Sequence, residues 1–181
     1  MASPKAELFL IPGTPVAAAR WLLGSTLSVG PVRVRIVEVE AYGGLEDSAS
    51  HARFGITARN APMWDGPGRL YVYLCYGIHW MVNITYAPMG TGGAVLLRGG
   101  IVEKGHDWVE RRRGSLDLLG PGKLGQALGL TKEDSGRRLN VEDWLRVQAG
   151  APVRATEAGP RVGIGYATPR DQRLPWRFRE R

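Results

Sequence analysis

The sequence predicts an α+β fold: a single mixed domain with a curved, largely antiparallel sheet, short flanking helices and a protruding β-hairpin. Three observations carry this reading. Stretches that alternate apolar and polar residues outnumber helical ones. The alternating strand–helix units of a parallel sheet are missing. Two strand-like runs meet tightly at Gly77, as a hairpin does. At 181 residues the chain suits one domain with a sizeable core. No internal repeat or long Ser/Gly linker divides it, so 1–181 is read as one unit.

In chain order, Thr14-Pro15 opens a short helix, with Thr14 able to cap and Pro15 fitting the first turn. Leu22 and Leu23 continue it, and Gly24 is a good stop. Val32–Tyr42 alternates as a strand. Residues 43–68 have weak periodicity and read as a long ordered loop, which in a compact domain is usually functional. Residues 69–76 and 78–86 form the hairpin strands, and 94–102 form another strand. Residues 121–130 are a short helix with Leu124, Ala127 and Leu128 on one face. Strand-like segments return at 153–156 and 161–166.

Composition narrows the function. Hydrophobic residues make up 44%, which excludes a disordered chain. Lys and Arg number 24 against 17 Asp and Glu, for a net charge of +7. That balance favours an acidic partner, nucleic acid being the commonest. The lone Cys75 permits no internal disulfide and suggests a reducing, intracellular setting. The first residues lack the basic start and apolar core of a signal peptide. No apolar run is long enough to span a bilayer. The expected place of action is inside the cell, off the membrane.

Val32–Tyr42 contains a break in phase. Val32, Val34 and Ile36 share a face, and in a regular strand Glu38, Glu40 and Tyr42 fall on that same face. A β-bulge near Val37 would put both glutamates on the other side. Two readings of the carboxylates stand side by side. They pair with arginines on neighbouring strands, or one is a partly buried general base.

The hairpin holds Tyr71, Tyr73 and Tyr76, half of the six tyrosines in the chain. Tyr71 and Tyr73 share a face, as in ordinary cross-strand packing. Tyr76 stands beside the turn, where an aromatic ring can stack on bases or wedge into a base stack. Gly120-Pro-Gly-Lys-Leu-Gly125 matches GxGxxG in form only, since no strand runs directly into it. Its glycines and Lys123 at a helix start still suit a phosphate, against a plain helix start. His51, His79 and His106 are too scattered for a metal site. Arg111–Arg113 and the five arginines of 170–181 read as solvated charge that can add phosphate attraction.

Together these pieces resemble the alkyladenine (3-methyladenine) DNA glycosylase family of base-excision repair. The matching stretches are Glu38-Val-Glu-Ala-Tyr42, Asp47 to His51, Thr57-Ala-Arg-Asn60, Pro67 to Gly77, Met81-Val-Asn-Ile84, Ala94 to Arg98, Gly120 to Leu124 and Pro160 to Tyr166, in family order. The resemblance implies a monofunctional glycosylase that flips alkylated or deaminated purines from duplex DNA and hydrolyses the N-glycosidic bond. It implies Glu40 as the water-activating carboxylate. Tyr42, His51, Tyr73, Asn83 and Leu96 would form the base pocket, with Asn83 obstructing normal guanine. Tyr76 would replace the flipped nucleotide. Met63, Arg59, Arg98, Lys123 and Gly122 would lie along the DNA. No cofactor or metal is implied. The partner would be double-stranded DNA with damaged purines, bound by a monomer in a bacterial cytoplasm, at the nucleoid. His79 departs from the family pattern, which has an aromatic residue there.

Overall fold

The structure is a computed structural model. It describes residues 11–151 and 153–181; the signal-peptide reading concerns residues outside this range. The elements are α1 (Pro15–Leu22), β1 (Thr26–Val29), β2 (Val32–Tyr42), β3 (Leu70–Cys75), β4 (His79–Thr85), β5 (Ala94–Lys104) and α2 (His106–Arg113). They continue with β6 (Leu118–Leu119), α3 (Pro121–Leu128), β7 (Leu145–Gln148), β8 (Thr156–Gly159), α4 (Pro169–Arg173) and β9 (Arg177–Glu180). The strands form one curled sheet in the order β3-β4-β5-β2-β1-β7, with β6 on β5, β9 on β2 and β8 on β9. Every pairing is antiparallel. The α+β class and the protruding hairpin agree with expectation.

The main core lies where α1 and α3 cover one face of this sheet. Ala18, Ala19 and Leu22 of α1 and Leu124, Ala127 and Leu128 of α3 are fully buried beside Val34, Ile36, Val39 and Leu97. Each buried Leu or Ile contributes about 1.5–3 kcal/mol. Thr14 adopts an extended conformation but its side chain makes no cap bond. Close packing explains the glycines of the GxGxxG match. A Cβ on Gly125 would stand 2.0 Å from the Trp80 carbonyl oxygen, and one on Gly122 would stand 2.8 Å from the His79 ring. The glycines let α3 lie directly on β4.

The bulge in β2 is present. Ile36 pairs with Gly100 and Glu38 with Gly99, leaving Val37 without a partner; Val39 then pairs with Leu97, leaving Arg98 unpartnered on β5. The first slip moves Val39 and Ala41 onto the core face with Val34 and Ile36. Glu38, Glu40 and Tyr42 therefore leave the core face, as a bulge requires. β2 also changes partner here. Its first half pairs with β1, whereas Glu38 to Glu40 pair with β9.

Several expectations fail. Residues 161–166 form turns, not a strand, and at 153–156 only Thr156 belongs to one. β1, β7, β9, α2 and α4 are additions. β1 and β7 are four residues each and alternate, but over too short a run to stand out. The arginine runs are not simply solvated. Arg112 Nη1 donates to the Ala127 carbonyl at 2.7 Å, and Arg177 and Arg179 lie in β9 against Glu40 and Glu38. The long loop is ordered, as expected, with 3-10 turns at His51–Phe54 and Ala61–Met63.

Candidate active site

The outer face of β2 is covered, so Glu40 is buried completely despite leaving the core face. The cover is the segment around Arg161 and Val162. Glu40 Oε1 accepts the Val162 amide at 2.7 Å. Its Oε2 accepts the Tyr42 hydroxyl at 2.9 Å and lies 3.4 Å from Arg98 Nη1. Arg98 also holds Glu38 Oε1 at 3.2 Å, and Arg177 stands 3.7 Å from the same oxygen. The arginine-pairing reading is thus correct for both glutamates, but their settings differ. Glu38 sits between two guanidinium groups. Burial raises the Glu40 pKa, against the lowering effects of Arg98, the Val162 amide and the Tyr42 hydroxyl. Buried carboxylates resist ionisation because charge loses its hydration.

A cleft opens beside Tyr42. Tyr71, Tyr73, His51 and Asn83 line it, together with Met63, Ala49, Ala94 and Tyr166. The rings pack on one another: His51 and Tyr73 centroids are 4.7 Å apart, and Tyr71 and Tyr73 are 5.2 Å apart. His51 Nδ1 is 2.7 Å from the Tyr71 hydroxyl. Burial, then the charges of Arg59 and Arg53, lowers its pKa to about 4, so the ring is neutral at pH 7. Burial pushes the Tyr71 hydroxyl up to about 12. Tyr42 and Tyr73 are raised by the same cause. Asn83 donates from Nδ2 to the Tyr71 carbonyl at 3.0 Å, which fixes its side chain in the wall.

The expected site residues fall into three places. Tyr42, His51, Tyr73 and Asn83 converge at the cleft, and Glu40 meets it through the Tyr42 hydroxyl. Tyr76 is elsewhere, 88% exposed at the hairpin tip. The residues expected along DNA scatter. Arg59 is exposed and stacks on the Tyr73 ring at 4.9 Å. Lys123 is at the surface, paired with Asp117. Three others pack against the protein. Met63 is 2% exposed and lines the cleft, because the 3-10 turn folds it inward. Gly122 packs against His79. Arg98 is turned onto Glu38 and Glu40 by its bulge. Leu96 pairs with both Glu40 and Asn83, yet its neighbour Ala94 is the β5 residue that borders the cleft. Tyr166 and Ala49 were missed as lining residues, and Arg161 as a buried partner of Asp47; 161–166 was read as a strand, and Ala49 lies in the loop of weak periodicity. Among the described residues no group of three or more His, Cys, Asp or Glu side chains could hold a metal ion.

The family model described as methylpurine-DNA glycosylase (MPG) matches residues 10–181. The chain belongs to the methylpurine-DNA glycosylase family. It is a hydrolase of base-excision repair that acts on DNA. A protein of Nitrosococcus oceani provisionally named a 3-methyladenine DNA glycosylase is 48% identical over 87% of this chain and 80% of its own length. A similarly named Frankia casuarinae protein is 46% identical over 90% of the chain and 82% of its own length. The DNA-3-methyladenine glycosylase of Arabidopsis thaliana is 45% identical over 87% of the chain and 64% of its own length. Nearly all of the fold described above therefore falls within what this glycosylase family shares.

Proposed function

We propose that this glycosylase flips alkylated or deaminated purines, 3-methyladenine among them, from duplex DNA into the Tyr42–His51–Tyr73 cleft. Glu40 then activates water for attack at C1′. The carrying observation is the setting of Glu40: a wholly buried carboxylate joined to the aromatic cleft through the Tyr42 hydroxyl, held by one amide, that hydroxyl and one guanidinium. Burial moves its pKa toward working pH, which suits a base, and the three donors keep the anion oriented. Its charge also favours the oxocarbenium character of the sugar. A cationic alkylated base is attracted by tyrosine faces and leaves readily. Neutral His51 can offer a hydrogen bond to a neutral lesion without presenting a competing cation.

Tyr76 fills the gap left by the flipped nucleotide, which offsets part of the few kcal/mol that unstacking costs. Asn83 obstructs the exocyclic amino group of normal guanine. Arg59 and Lys123 attract the phosphate backbone. The chain acts as a single-domain monomer, since one hairpin and one cleft suffice for one lesion. The cytoplasm of a bacterium, at the nucleoid, is its proposed place of work. Among the described residues no helix is long and apolar enough to cross a membrane.

The test is Glu40→Gln in single-turnover excision from an alkylated duplex, with released bases resolved by chromatography. Loss of a general base lowers rates by about 10²–10⁴. Excision should fall by that much while affinity for the damaged duplex stays within about threefold. Excision retained at the wild-type rate removes Glu40 from the mechanism.

A further inference from the structure

We infer that Arg161 is a positioning residue for excision: it staples residues 160–168 to the end of β2, so that the Val162 amide stays on Glu40. The inference rests on the reading of Glu40 as the water-activating base. Arg161 is buried, and its side chain has no exposure. Nη1 donates to the carbonyl of Ala41, the residue after Glu40, at 2.9 Å, and to Asp47 Oδ2 at 2.6 Å. Nη2 donates to Asp47 Oδ1 at 2.9 Å and to the Asp171 carbonyl at 3.4 Å. The guanidinium plane lies between Tyr42, 4.8 Å from the ring centre, and Trp176, 5.0 Å away. One side chain therefore joins β2, the loop after it, α4 and the residue before β9.

The far end of the segment has other anchors, Tyr166 on the Ala49 carbonyl, Thr168 on Ser48 and the buried Ile164 and Ala167, whereas Arg161 clasps the end that carries Val162. Residues 161–166 belong to no strand or helix, and Val162 and Tyr166 are 48% and 59% exposed. Yet Val162 supplies one of the two hydrogen bonds to Glu40, and Tyr166 lines the cleft. A lysine cannot replace the clasp. It has no planar fork to grip a carboxylate with two parallel bonds, and no flat face for two rings. Asp47 is itself committed, accepting the amides of Gly43 and Ala49 at 2.8 and 3.0 Å. Tension on the loop before His51 and on the cover over Glu40 meets at this pair.

Glu40 is faced by Glu38 and Tyr42 of β2, by Arg98 of β5 and by the Val162 amide; Arg177 of β9 reaches it through Glu38. Loss of the amide alone removes a donor that favours the anion and gives an upward shift of the acid limb of the rate profile, whereas loss of the cover rehydrates Glu40 and moves the limb down; a loosened segment therefore displaces the limb. The experiment is single-turnover excision against pH on a dimethyl-sulfate-treated duplex, with uncatalysed release subtracted. It is run beside duplex affinity and thermal unfolding, for Arg161→Lys and Arg161→Gln. Expected are a plateau rate at least tenfold lower, affinity within threefold, and an acid limb displaced from the wild-type pH. A folded variant with wild-type plateau and limb overturns the inference, as does a rate loss that only tracks the folded fraction. Should both variants fail to fold, an ester in place of the Val162 amide keeps Arg161 and deletes only the donor. An upward shift then supports the inference, and no shift overturns it. Glu40→Gln separates the two readings. If it still excises, the base assignment fails. If it is inactive while the Arg161 variants behave as wild type, the staple alone fails.

Discussion

Replacing Tyr76 by asparagine should move stability and DNA affinity in opposite directions. Tyr76 has φ of 51° and is followed by Gly77 at 72°. Two successive positive φ values are the demand of a type I′ hairpin turn, for which Asn-Gly is the preferred pair. A bulky residue in the left-handed region costs about 1–2 kcal/mol, a strain that asparagine largely escapes. At 88% exposure the tyrosine ring regains little of this cost from packing within the protein. Tyr76→Asn should therefore leave the melting temperature unchanged or raise it by a few degrees. Base–aromatic stacking is worth about 1–3 kcal/mol, so affinity for a lesion duplex should fall roughly 5- to 150-fold. Thermal unfolding and fluorescence anisotropy measure the two effects. A lowered melting temperature with unchanged affinity would refute the reasoning, because the ring would then be serving the fold.

Asn83→Ser shortens a wall side chain held at the Tyr71 carbonyl. Release of normal guanine from undamaged duplex should rise above the wild-type background; an unaltered level would remove Asn83 as the excluding group. His51 carries a pH signature. Its folded pKa of about 4 lies below the ordinary 6.5. A depressed folded value means stability fully present above about pH 6.5 and lost as pH falls toward about 4. At about 1.4 kcal/mol per pH unit the ceiling is about 3 kcal/mol, and solvent screening of this partly exposed ring brings it to about 1–2 kcal/mol. Urea unfolding should find that acid loss in the wild type and not in His51→Gln; parallel curves would count against it. Gly125→Ala forces a methyl to 2.0 Å from the Trp80 carbonyl oxygen. Overpacking there should destabilise by about 1–3 kcal/mol, read in the same unfolding assay, and an unchanged midpoint would mean that α3 is not seated on β4.

The legible part of the sequence was the part with period. β2 was read with its true limits because its valines and isoleucine alternate, and the break in that alternation left a bulge as one of two open readings. The hairpin was legible from one glycine between two apolar runs. Short or polar strands were not. β9 reads Arg-Phe-Arg-Glu, with Phe178 as its single buried anchor, and such a strand exists because β2 offers it a partner. The cleft followed the same division. Tyr42, Tyr71, Tyr73 and Asn83 stand on periodic strands, while His51, in a 3-10 turn of the long loop, was reached through the family resemblance. Ala49, Arg161 and Tyr166 lie in loops brought there by Asp47, which no local pattern announces.

That division explains why a bulge could be offered from the sequence while the cover over it could not. A bulge predicts which face Glu40 takes, and in isolation that face is the solvent side. Whether the side is wet depends on what lies over it, and the cover comes from more than a hundred positions along the chain. The resulting arrangement keeps stability and chemistry on opposite faces of one sheet. α1 and α3 bury leucines and alanines on the inner face. The outer face carries a buried carboxylate, a guanidinium whose Nε has no acceptor and, at the hairpin tip, a tyrosine in a strained turn. Each of these weakens the fold locally. The bulge is the device that lets a single strand serve both faces, because it turns Val39 and Ala41 inward at the point where Glu38 and Glu40 must turn outward. Closing it with Val37 kept and forced into the ladder would restore a regular strand. It would also return the carboxylates to the leucine-lined core, where charge has no partner.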